Sequence, residues 1–374
     1  MDRTEKLLSW YDENRRILPW REDPSPYHVW ISEIMLQQTR VEAVKSYYSA
    51  FLEELPSVRA LAEAGEDEYL KLWEGLGYYS RVRNLHKAAG EIMERYDGEM
   101  PRTYEELRSL SGIGEYTAAA IASIAFGEAV PAIDGNLLRI FSRLTGYAEN
   151  ILASAAKKEA FRYYSDWISP ERPGAFNQAL MDLGAMVCLP NTAPQCADCP
   201  LSSYCAAHEA GNETALPVRP AKKKRAVDKM TVFVIHHDGR ILLNKRPAQG
   251  LLAGLYEFPN VSGWMNEKKA LQYAQSLGFS ALRIVRLPDA KHIFSHREWH
   301  IRGYEIFTGD WNDPAGDDTA TGGPAAEKAP GAGLPEEELR IAGRTMFLAD
   351  SAELESRWSI PSAFAAFRSH LLKN

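Results

Sequence analysis

The chain has 374 residues, of which 45% are hydrophobic and 25% charged, and its formal net charge is −7. This length is enough for two domains, and the balance is typical of a globular protein rather than a disordered one. Apolar runs are too short for a membrane-spanning helix and residues 1–16 are too charged for a signal peptide, so we expect a cytoplasmic protein without a membrane partner. The negative charge speaks only weakly against a polyanionic partner, because phosphate binding depends on local cation clusters.

A helical pattern runs from residue 4 to about residue 207. Apolar residues recur at three- and four-residue spacing, as in residues 67–73, which predicts amphipathic helices. Residues 118–126 are apolar on nearly all sides, so this segment is predicted to be a short buried helix. We therefore expect an all-α domain over residues 1–210.

Two glycines, Gly112 and Gly114, precede the predicted buried helix and are separated by one residue. This spacing permits a tight turn that aims unpaired amide groups outward, where a DNA phosphate could bind, although in isolation the pattern is also that of an ordinary turn. Twenty residues after Gly114, Asp134 precedes Gly135 and Asn136 near a predicted helix start. Asp134 is therefore either a functional carboxylate or a plain N-cap.

All the cysteines lie close together, in the pattern C-x7-C-x2-C-x5-C. They are Cys188, Cys196, Cys199 and Cys205. Disulfides are disfavoured in a reducing compartment, whereas four closely spaced thiolates suit structural zinc or an iron–sulfur centre. Zinc sites are usually built from two C-x2-C pairs, and only one such pair is present, so the spacing favours a 4Fe-4S cluster over zinc.

The sequence pattern changes near Gly211. Residues 211–227 contain two prolines and four consecutive cations, which predicts a solvated linker before a second domain of mixed α and β structure over residues 228–374. In that domain, strands 230–236 and 240–245 flank a turn, helix 267–277 follows, and two further strands cover 283–287 and 301–307. Residues 310–336 are rich in Gly, Ala, Pro and acids, so we expect a mobile loop there.

The glycine hairpin, the aspartate and the four-cysteine loop together resemble the helix-hairpin-helix DNA glycosylase superfamily. Within it, residues 1–207 are similar to adenine glycosylases of the MutY type. The runs that carry this resemblance are residues 19–21, 26–30, 32–39, 75–81 and 181–185. The resemblance implies a monomeric enzyme with a 4Fe-4S cluster that excises adenine opposite 8-oxoguanine or G in double-stranded DNA.

Cleavage of a purine from deoxyribose requires protonation of the leaving base and stabilisation of a sugar cation, which two carboxylates in opposite protonation states can supply. Glu33 has apolar neighbours, so burial is expected to raise its pKa, while Asp134 is expected to stay ionised. The resemblance assigns Glu33 to protonation of adenine N7 and then to activation of water, and Asp134 to stabilisation of the sugar, with Tyr116 and Asn136 in support. Tyr116 stands where strand-cleaving relatives have a Schiff-base lysine, which predicts a monofunctional glycosylase.

Adenine must leave the base stack before it is cleaved. The resemblance implies that Gln38 and Tyr78 wedge into the duplex, and it assigns a further set of residues to the adenine pocket and the DNA surface. These are Trp20, Arg21, Leu36, Thr39, Leu76, Gly112, Gly114 and Gln178. Each has a plain alternative, since Trp20 and Leu36 could belong to the core and Gln178 could be a surface amide.

Residues 250–259 resemble a strand-and-turn segment of Nudix domains. Nudix hydrolases hold magnesium with a helix that carries several glutamates, and residues 266–278 offer only Glu267, so we expect a reader of the damaged base rather than a hydrolase. The resemblance places Phe294, Ser295 and His296 in the recognition loop, with Ser295 bonded to 8-oxoguanine. Without the resemblance, these three residues are also an ordinary β-edge sequence.

Three features depart from the MutY pattern. The first cysteine gap is longer by one residue, and it contains no Lys or Arg, which leaves open whether that loop contacts DNA. In addition, Ser111 replaces the usual hairpin proline.

The sequence disfavours three alternative functions. A pyrimidine-specific relative is disfavoured by Tyr116 and the reader domain, a silent lesion-binding protein by the presence of Glu33 and Asp134, and a nucleotide hydrolase by the missing glutamate helix.

Overall fold

The computed structural model describes residues 1–221, 224–311, 338–341 and 344–371, without the side chains of residues 338–341, 344 and 345. The chain forms two compact units. Met1–Ala64 and Ser80–Lys222 make up the first, and Gly65–Tyr79 and Lys223–Asn374 the second. No helix in the described part of the chain combines the length and the apolar character that a membrane span requires.

The described helices follow one another in chain order through both units. They are α1 (Arg3–Asn14), α2 (Pro19–Glu22), α3 (Pro26–Leu36), α4 (Val41–Glu54), α5 (Val58–Glu63), α6 (Glu66–Leu72), α7 (Ser80–Tyr96), α8 (Tyr104–Arg108), α9 (Glu115–Phe126), α10 (Gly135–Thr145), α11 (Ser154–Ser165), α12 (Pro173–Met186), α13 (Ala206–Glu209), α14 (Glu267–Ser276), α15 (Ser351–Ser356) and α16 (Ala365–Leu371). Short 3₁₀ turns lie at Cys196–Asp198, Ser202–Tyr204 and Ser362–Phe364.

The first unit is helical, as predicted, and local sequence signals set the ends of its central helices. The Ser25 side chain accepts a hydrogen bond from the first turn of α3, and Pro26 occupies the first helical position. Helix α9 follows Gly114 and is buried from Thr117 to Ser123, which confirms the predicted buried helix. Helices α1, α10, α11 and α12 share a core that includes Tyr164. This core packs α10 against α12, and both helices contribute residues to the site described below.

The second unit is built on one mixed sheet. Its strands are β1 (Ala226–His237), β2 (Arg240–Lys245), β3 (Tyr256–Glu257), β4 (Asn260–Ser262), β5 (Phe279–Ile293), β6 (Arg297–Trp311), β7 (Glu338–Ile341) and β8 (Arg344–Ala349). The order is β5-β6-β1-β2-β8-β7, where β1 and β6 run parallel and the other pairs antiparallel. The predicted hairpin, strands and helix are confirmed.

Alternate residues of β1 face two different cores. Val232 and Val234 pack with residues of α15 and α16, whereas Phe233 and Ile235 pack with α14. This alternation follows from the two-residue period of a strand. The sheet is therefore the middle layer of three, with helices on both faces.

The two compact units differ from the expected domain boundaries in two places. Gly65–Tyr79, expected within the first domain, belongs to the second unit, because its side chains bond to β2, β3 and the C-terminal helices. The expected linker packs on the first unit as far as Val218, whose carbonyl accepts from Ile151 at 3.1 Å, while Leu216 is buried. The buried Leu216 side chain docks this short segment, which the composition did not reveal.

The predicted mobile loop at residues 310–336 is only partly described. Asp310 and Trp311 end strand β6, and the Trp311 ring nitrogen donates to the carbonyl of Leu277 at 3.0 Å. These two residues are therefore ordered, contrary to the expectation. The remainder, residues 312–336, lies outside the described residues.

Candidate active site

A cavity of about 700 Å³ in the first unit brings together many of the predicted residues. It is bounded by α1 to α3, α9, α10 and α12. The predicted residues that line it are Trp20, Arg21, Glu33, Leu36, Thr39, Tyr116, Asp134, Asn136 and Gln178. This volume lies in the range of small-molecule sites. Residues that are far apart in sequence therefore meet around one space large enough for a nucleoside.

Glu33 projects from α3, which is buried along almost its whole length, and the residue is 6% exposed. Burial raises the pKa of Glu33 to about 7, against the lowering effect of a hydrogen bond donated by the Tyr116 hydroxyl to its Oε2. This confirms the expected direction of the shift. A carboxyl group with this pKa holds its proton in a large fraction of molecules at neutral pH.

Asp134 both caps α10 and lines the cavity. Its Oδ1 accepts from the backbone amides of Asn136 and Leu137 at 2.8 and 2.7 Å, and its Oδ2 accepts from the Asn136 side chain at 2.8 Å. Burial raises the pKa of Asp134, while these hydrogen bonds act to lower it. The plain N-cap interpretation is thus correct and compatible with a functional one. The expectation that Asp134 stays ionised remains a prediction.

Arg21 is fixed at the cavity wall by a buried carboxylate. Its guanidinium nitrogens donate to both oxygens of Asp182, at 2.7 and 3.0 Å, and Arg16 adds a bond of 2.6 Å to the same carboxylate. Asp182 is fully buried, so its charge needs these partners. Gln178 is held similarly, since its side-chain oxygen accepts from the Tyr11 hydroxyl at 3.1 Å.

The predicted hairpin borders a second cavity, of about 1050 Å³, that shares Glu33, Tyr116 and Asp134 with the first. Gly112, Gly114 and Gln38 line this space. Gly112 has a φ of 73°, and a β-carbon there would lie 2.4 Å from that of Asn84, so the position requires glycine. Gln38 is exposed and has a φ of 60°, an uncommon backbone state for a residue with a side chain. The hairpin and Gln38 therefore flank the opening beside the two carboxyl groups.

The four cysteines face one cavity with mainly apolar walls. Burial raises the pKa of the Cys196 thiol to about 11 and that of Cys199 to about 12, so a bound metal would be needed to ionise them at neutral pH. The Arg143 guanidinium donates to the Cys188 sulfur at 3.1 Å, which supplies a positive charge next to a thiolate-bound centre. Four convergent thiols with a cation beside them fit a cluster of iron and sulfide.

Arg139 joins the cysteine loop to the carboxylate cavity. Its Nη2 donates to the side-chain oxygen of Asn136 at 2.9 Å and to the Gly184 carbonyl at 2.7 Å, and its Nε donates to the Cys188 carbonyl at 2.8 Å. Arg139 is buried, so these bonds are shielded from water. The Arg139 side chain thus holds both the backbone of Cys188 and the side chain of Asn136, which in turn bonds to Asp134.

The remaining predicted residues belong to the second unit and line neither cavity. They are Leu76, Tyr78, Phe294, Ser295 and His296. Phe294, Ser295 and His296 form the turn between β5 and β6, in which Ser295 and His296 are exposed. Phe294 is half-buried, with its ring 4.8 Å from that of Trp299. The Tyr78 hydroxyl lies 2.5 Å from the Ser295 hydroxyl. The predicted wedge residue and the predicted reader of the damaged base are therefore hydrogen-bonded to each other.

Comparison with known proteins agrees with this site. The HhH-GPD superfamily base excision DNA repair model matches residues 31–169, and the NUDIX domain model matches residues 231–342. The adenine DNA glycosylase of Mus musculus is 37% identical over 80% of this chain and 69% of its own length. The chain belongs to the adenine DNA glycosylase family. The adenine DNA glycosylase of Schizosaccharomyces pombe is 32% identical over 78% of each chain.

Among solved structures, a thermostable thymine-DNA glycosylase matches with a TM-score of 0.50 and 27% identity, over 55% of this chain and 95% of its own. Family membership confirms the predicted fold class, a helix-hairpin-helix glycosylase domain followed by a Nudix-like domain. It also confirms that the chain is an adenine DNA glycosylase of base excision repair.

Sequence reasoning missed several residues that hold the site of this adenine glycosylase in place. Asp182 appeared only within a resembling run, although a lone acid in the apolar helix α12 is a signal of a buried ion pair. Tyr11 and Arg139 gave no local signal. Their roles depend on partners 167 and 49 positions away in the chain.

Proposed function

We propose that this adenine DNA glycosylase excises adenine paired with 8-oxoguanine, and also adenine paired with G, from double-stranded DNA. The observation that carries the proposal is the meeting of Glu33 and Asp134 at one nucleoside-sized cavity. The pKa of Glu33, about 7, suits an acid that must give up its proton near neutral pH. The hydrogen-bonded pair of Tyr78 and Ser295 supports a reader of the opposite base.

In the proposed mechanism, adenine leaves the helix and enters the cavity, while Gln38 and Tyr78 fill the gap in the stack. Glu33 donates its proton to N7 of adenine, so that the base departs as a neutral molecule and the bond to the sugar breaks. Asp134 stabilises the positive charge that develops on the sugar, held in place by Asn136. Glu33, now a carboxylate, takes a proton from the water that attacks the sugar carbon.

Tyr116 supports a reaction without strand cleavage. A Schiff base requires an amine at this position, and a phenol hydrogen-bonded to Glu33 cannot form one. The abasic site is therefore released intact in the proposed reaction. Borohydride should trap no enzyme–DNA adduct during turnover, and an adduct formed in stoichiometric amount would overturn this part of the proposal.

We also propose that Cys188, Cys196, Cys199 and Cys205 hold a 4Fe-4S cluster. The cluster would supply a rigid crosslink of the cysteine loop, and through the Cys188 carbonyl this loop bonds to Arg139. Analysis of the purified protein should give iron and acid-labile sulfide in equal amounts, whereas zinc without sulfide would favour the structural-zinc alternative. We further propose that the enzyme is monomeric and cytoplasmic.

The test uses duplexes with A opposite 8-oxoguanine, A opposite G, and T opposite G, followed by alkaline cleavage of abasic sites. We expect product from both adenine duplexes, more rapidly opposite 8-oxoguanine, and none from T opposite G. Glu33→Gln should reduce the rate of excision by about 10²–10⁴-fold while binding persists. Glu13→Gln, a change of an exposed carboxylate on α1, is the matched control. Equal rates in the two variants would refute the assigned role of Glu33.

A further inference from the structure

The segment Gly65–Tyr79 lies in the first half of the sequence but belongs to the second unit. Its helix α6 bonds to residues of the sheet and to Trp358, which follows α15. Asp67 accepts from the Tyr256 hydroxyl at 3.2 Å and from the Lys245 ammonium at 3.4 Å. Lys71 donates to the Trp358 carbonyl at 3.3 Å. These contacts anchor the start of the segment.

The Glu74 side chain accepts hydrogen bonds from three groups. Its Oε1 accepts from the Ile360 amide at 3.0 Å and from the Arg368 guanidinium at 2.7 Å, while its Oε2 accepts from the Lys71 ammonium at 2.7 Å. The carboxylate is only 15% exposed, so its partners are poorly replaced by water. A half-buried charge that bonds to three groups restrains the position of the segment.

The chain after Glu74 has an unusual backbone. Gly75, Gly77 and Tyr78 have φ values of 99°, 71° and 49°. A positive φ is costly for tyrosine, so its placement depends on the residues around it. The Tyr78 hydroxyl lies 2.5 Å from that of Ser295. Glu74 thus lies directly before a strained turn that presents the tyrosine.

We infer that Glu74 is a positioning residue that sets the opposite-base preference of the enzyme. By fixing the segment on Ile360 and Arg368, it holds Tyr78 against Ser295, where the base opposite adenine is read. This inference rests on the proposed recognition of 8-oxoguanine. The carboxylate does not touch DNA in this scheme and acts only through the placement of Tyr78.

The test compares single-turnover rates for A opposite 8-oxoguanine and A opposite G in the full-length enzyme. Glu74→Gln retains the size of the side chain but loses the charge and one acceptor. We expect its preference for 8-oxoguanine over G to fall by at least about fivefold, with the rate opposite G within about twofold of the unmodified enzyme. Arg368→Met removes the guanidinium group that bonds to Glu74 and should give the same pattern. Glu53→Gln, on an exposed face of α4, is the matched control.

A double-mutant cycle with Tyr78→Phe separates positioning from general damage. If Glu74 acts through Tyr78, adding Glu74→Gln to Tyr78→Phe should change the preference no further. A parallel loss on both duplexes, or full additivity with Tyr78→Phe, would overturn the inference. Retained preference in Glu74→Gln and Arg368→Met would overturn it while the proposed function stands. An unmodified enzyme that does not distinguish 8-oxoguanine from G would overturn both.

Discussion

At the scale of single residues, the proposed role of Glu33 as the acid links activity to the pKa of its carboxyl group. Burial raises this pKa to about 7, so the protonated acid is present below that pH and is lost as the pH rises through it. The hydrogen bond from Tyr116 opposes the rise in pKa. If Glu33 is the acid, activity is expected to decline on the alkaline side as Glu33 ionises.

We expect Tyr116→Phe to move the alkaline decline of the single-turnover rate to higher pH. The phenylalanine removes a donor that favours the ionised carboxyl, so the pKa of Glu33 rises further. Rates measured between pH 5 and about 9 in the two proteins provide the comparison. A shift of the decline toward lower pH would contradict the assignment of Glu33 as the acid.

Asp134 is both a helix cap and a proposed stabiliser of the sugar, and one substitution separates the two roles. Asparagine caps helices about as well as aspartate, so Asp134→Asn should leave the free energy of unfolding within about 0.5 kcal/mol. Its uncharged amide cannot stabilise a cation, so the excision rate should fall by at least about 100-fold. Thermal unfolding and single-turnover kinetics measure the two effects. An active Asp134→Asn enzyme would reduce Asp134 to a cap.

At the scale of secondary-structure elements, the cavity depends on the close packing of α12 against α9. Gly174, in the first turn of α12, approaches the backbone of α9 closely. A β-carbon on Gly174 would lie 2.8 Å from the Cα of Ile124 and from the carbonyl oxygen of Ser123. Because backbone atoms cannot move aside, the two helices would have to separate.

We expect Gly174→Ala to destabilise the protein by about 1–3 kcal/mol, since overpacking of this kind forces backbone shifts. Gly90→Ala, in the middle of α7, has nothing within 4 Å of the added carbon and should stabilise by roughly 0.5–1 kcal/mol instead. Denaturant unfolding of both variants measures the difference. Equal effects would mean that the contact between α9 and α12 is not tight.

The elements that sequence could predict are those set by local signals. The apolar run of α9, the glycine hairpin before it and the hairpin joining β1 to β2 are of this kind. The bond between Arg21 and Asp182 could not be predicted, because its two residues are 161 positions apart and the lone acid in the apolar helix α12 indicates a buried ion pair without indicating its partner. The placement of α6 was missed for the same reason, since its amphipathic pattern does not reveal which surface covers it.

At the scale of the whole molecule, a net charge of −7 requires that DNA binding depend on local groups of cations. One such group surrounds a cavity of about 380 Å³ beside the long first cysteine gap. Arg139, Arg143 and Arg219 line it, and none of its lining residues that the structure describes is acidic. Arg139 and Arg143 are buried, whereas Arg219 is exposed at the surface. Arg219 therefore places an exposed cation beside the first cysteine gap, whose own residues carry no charge.

We expect Arg219→Ala to weaken binding to duplex DNA and to reduce the dependence of affinity on salt. Loss of one phosphate contact lowers the slope of log K against log salt concentration by about 0.9. Arg59→Ala, an exposed arginine of α5 paired with Glu63, is the control and should leave the slope unchanged. Fluorescence anisotropy at several salt concentrations gives the slopes. An unchanged slope for Arg219→Ala would show that no phosphate binds there.

The membership of Gly65–Tyr79 in the second unit has a consequence for hybrid enzymes made from two family members. A hybrid joined at a single crossover near residue 223 would take its sheet from one parent. Asp67 and Glu74 would still come from the other parent. Partners such as Tyr256 and Arg368 would then face foreign side chains. A functional hybrid needs two crossovers upstream as well, so that residues 65–79 travel with the C-terminal half.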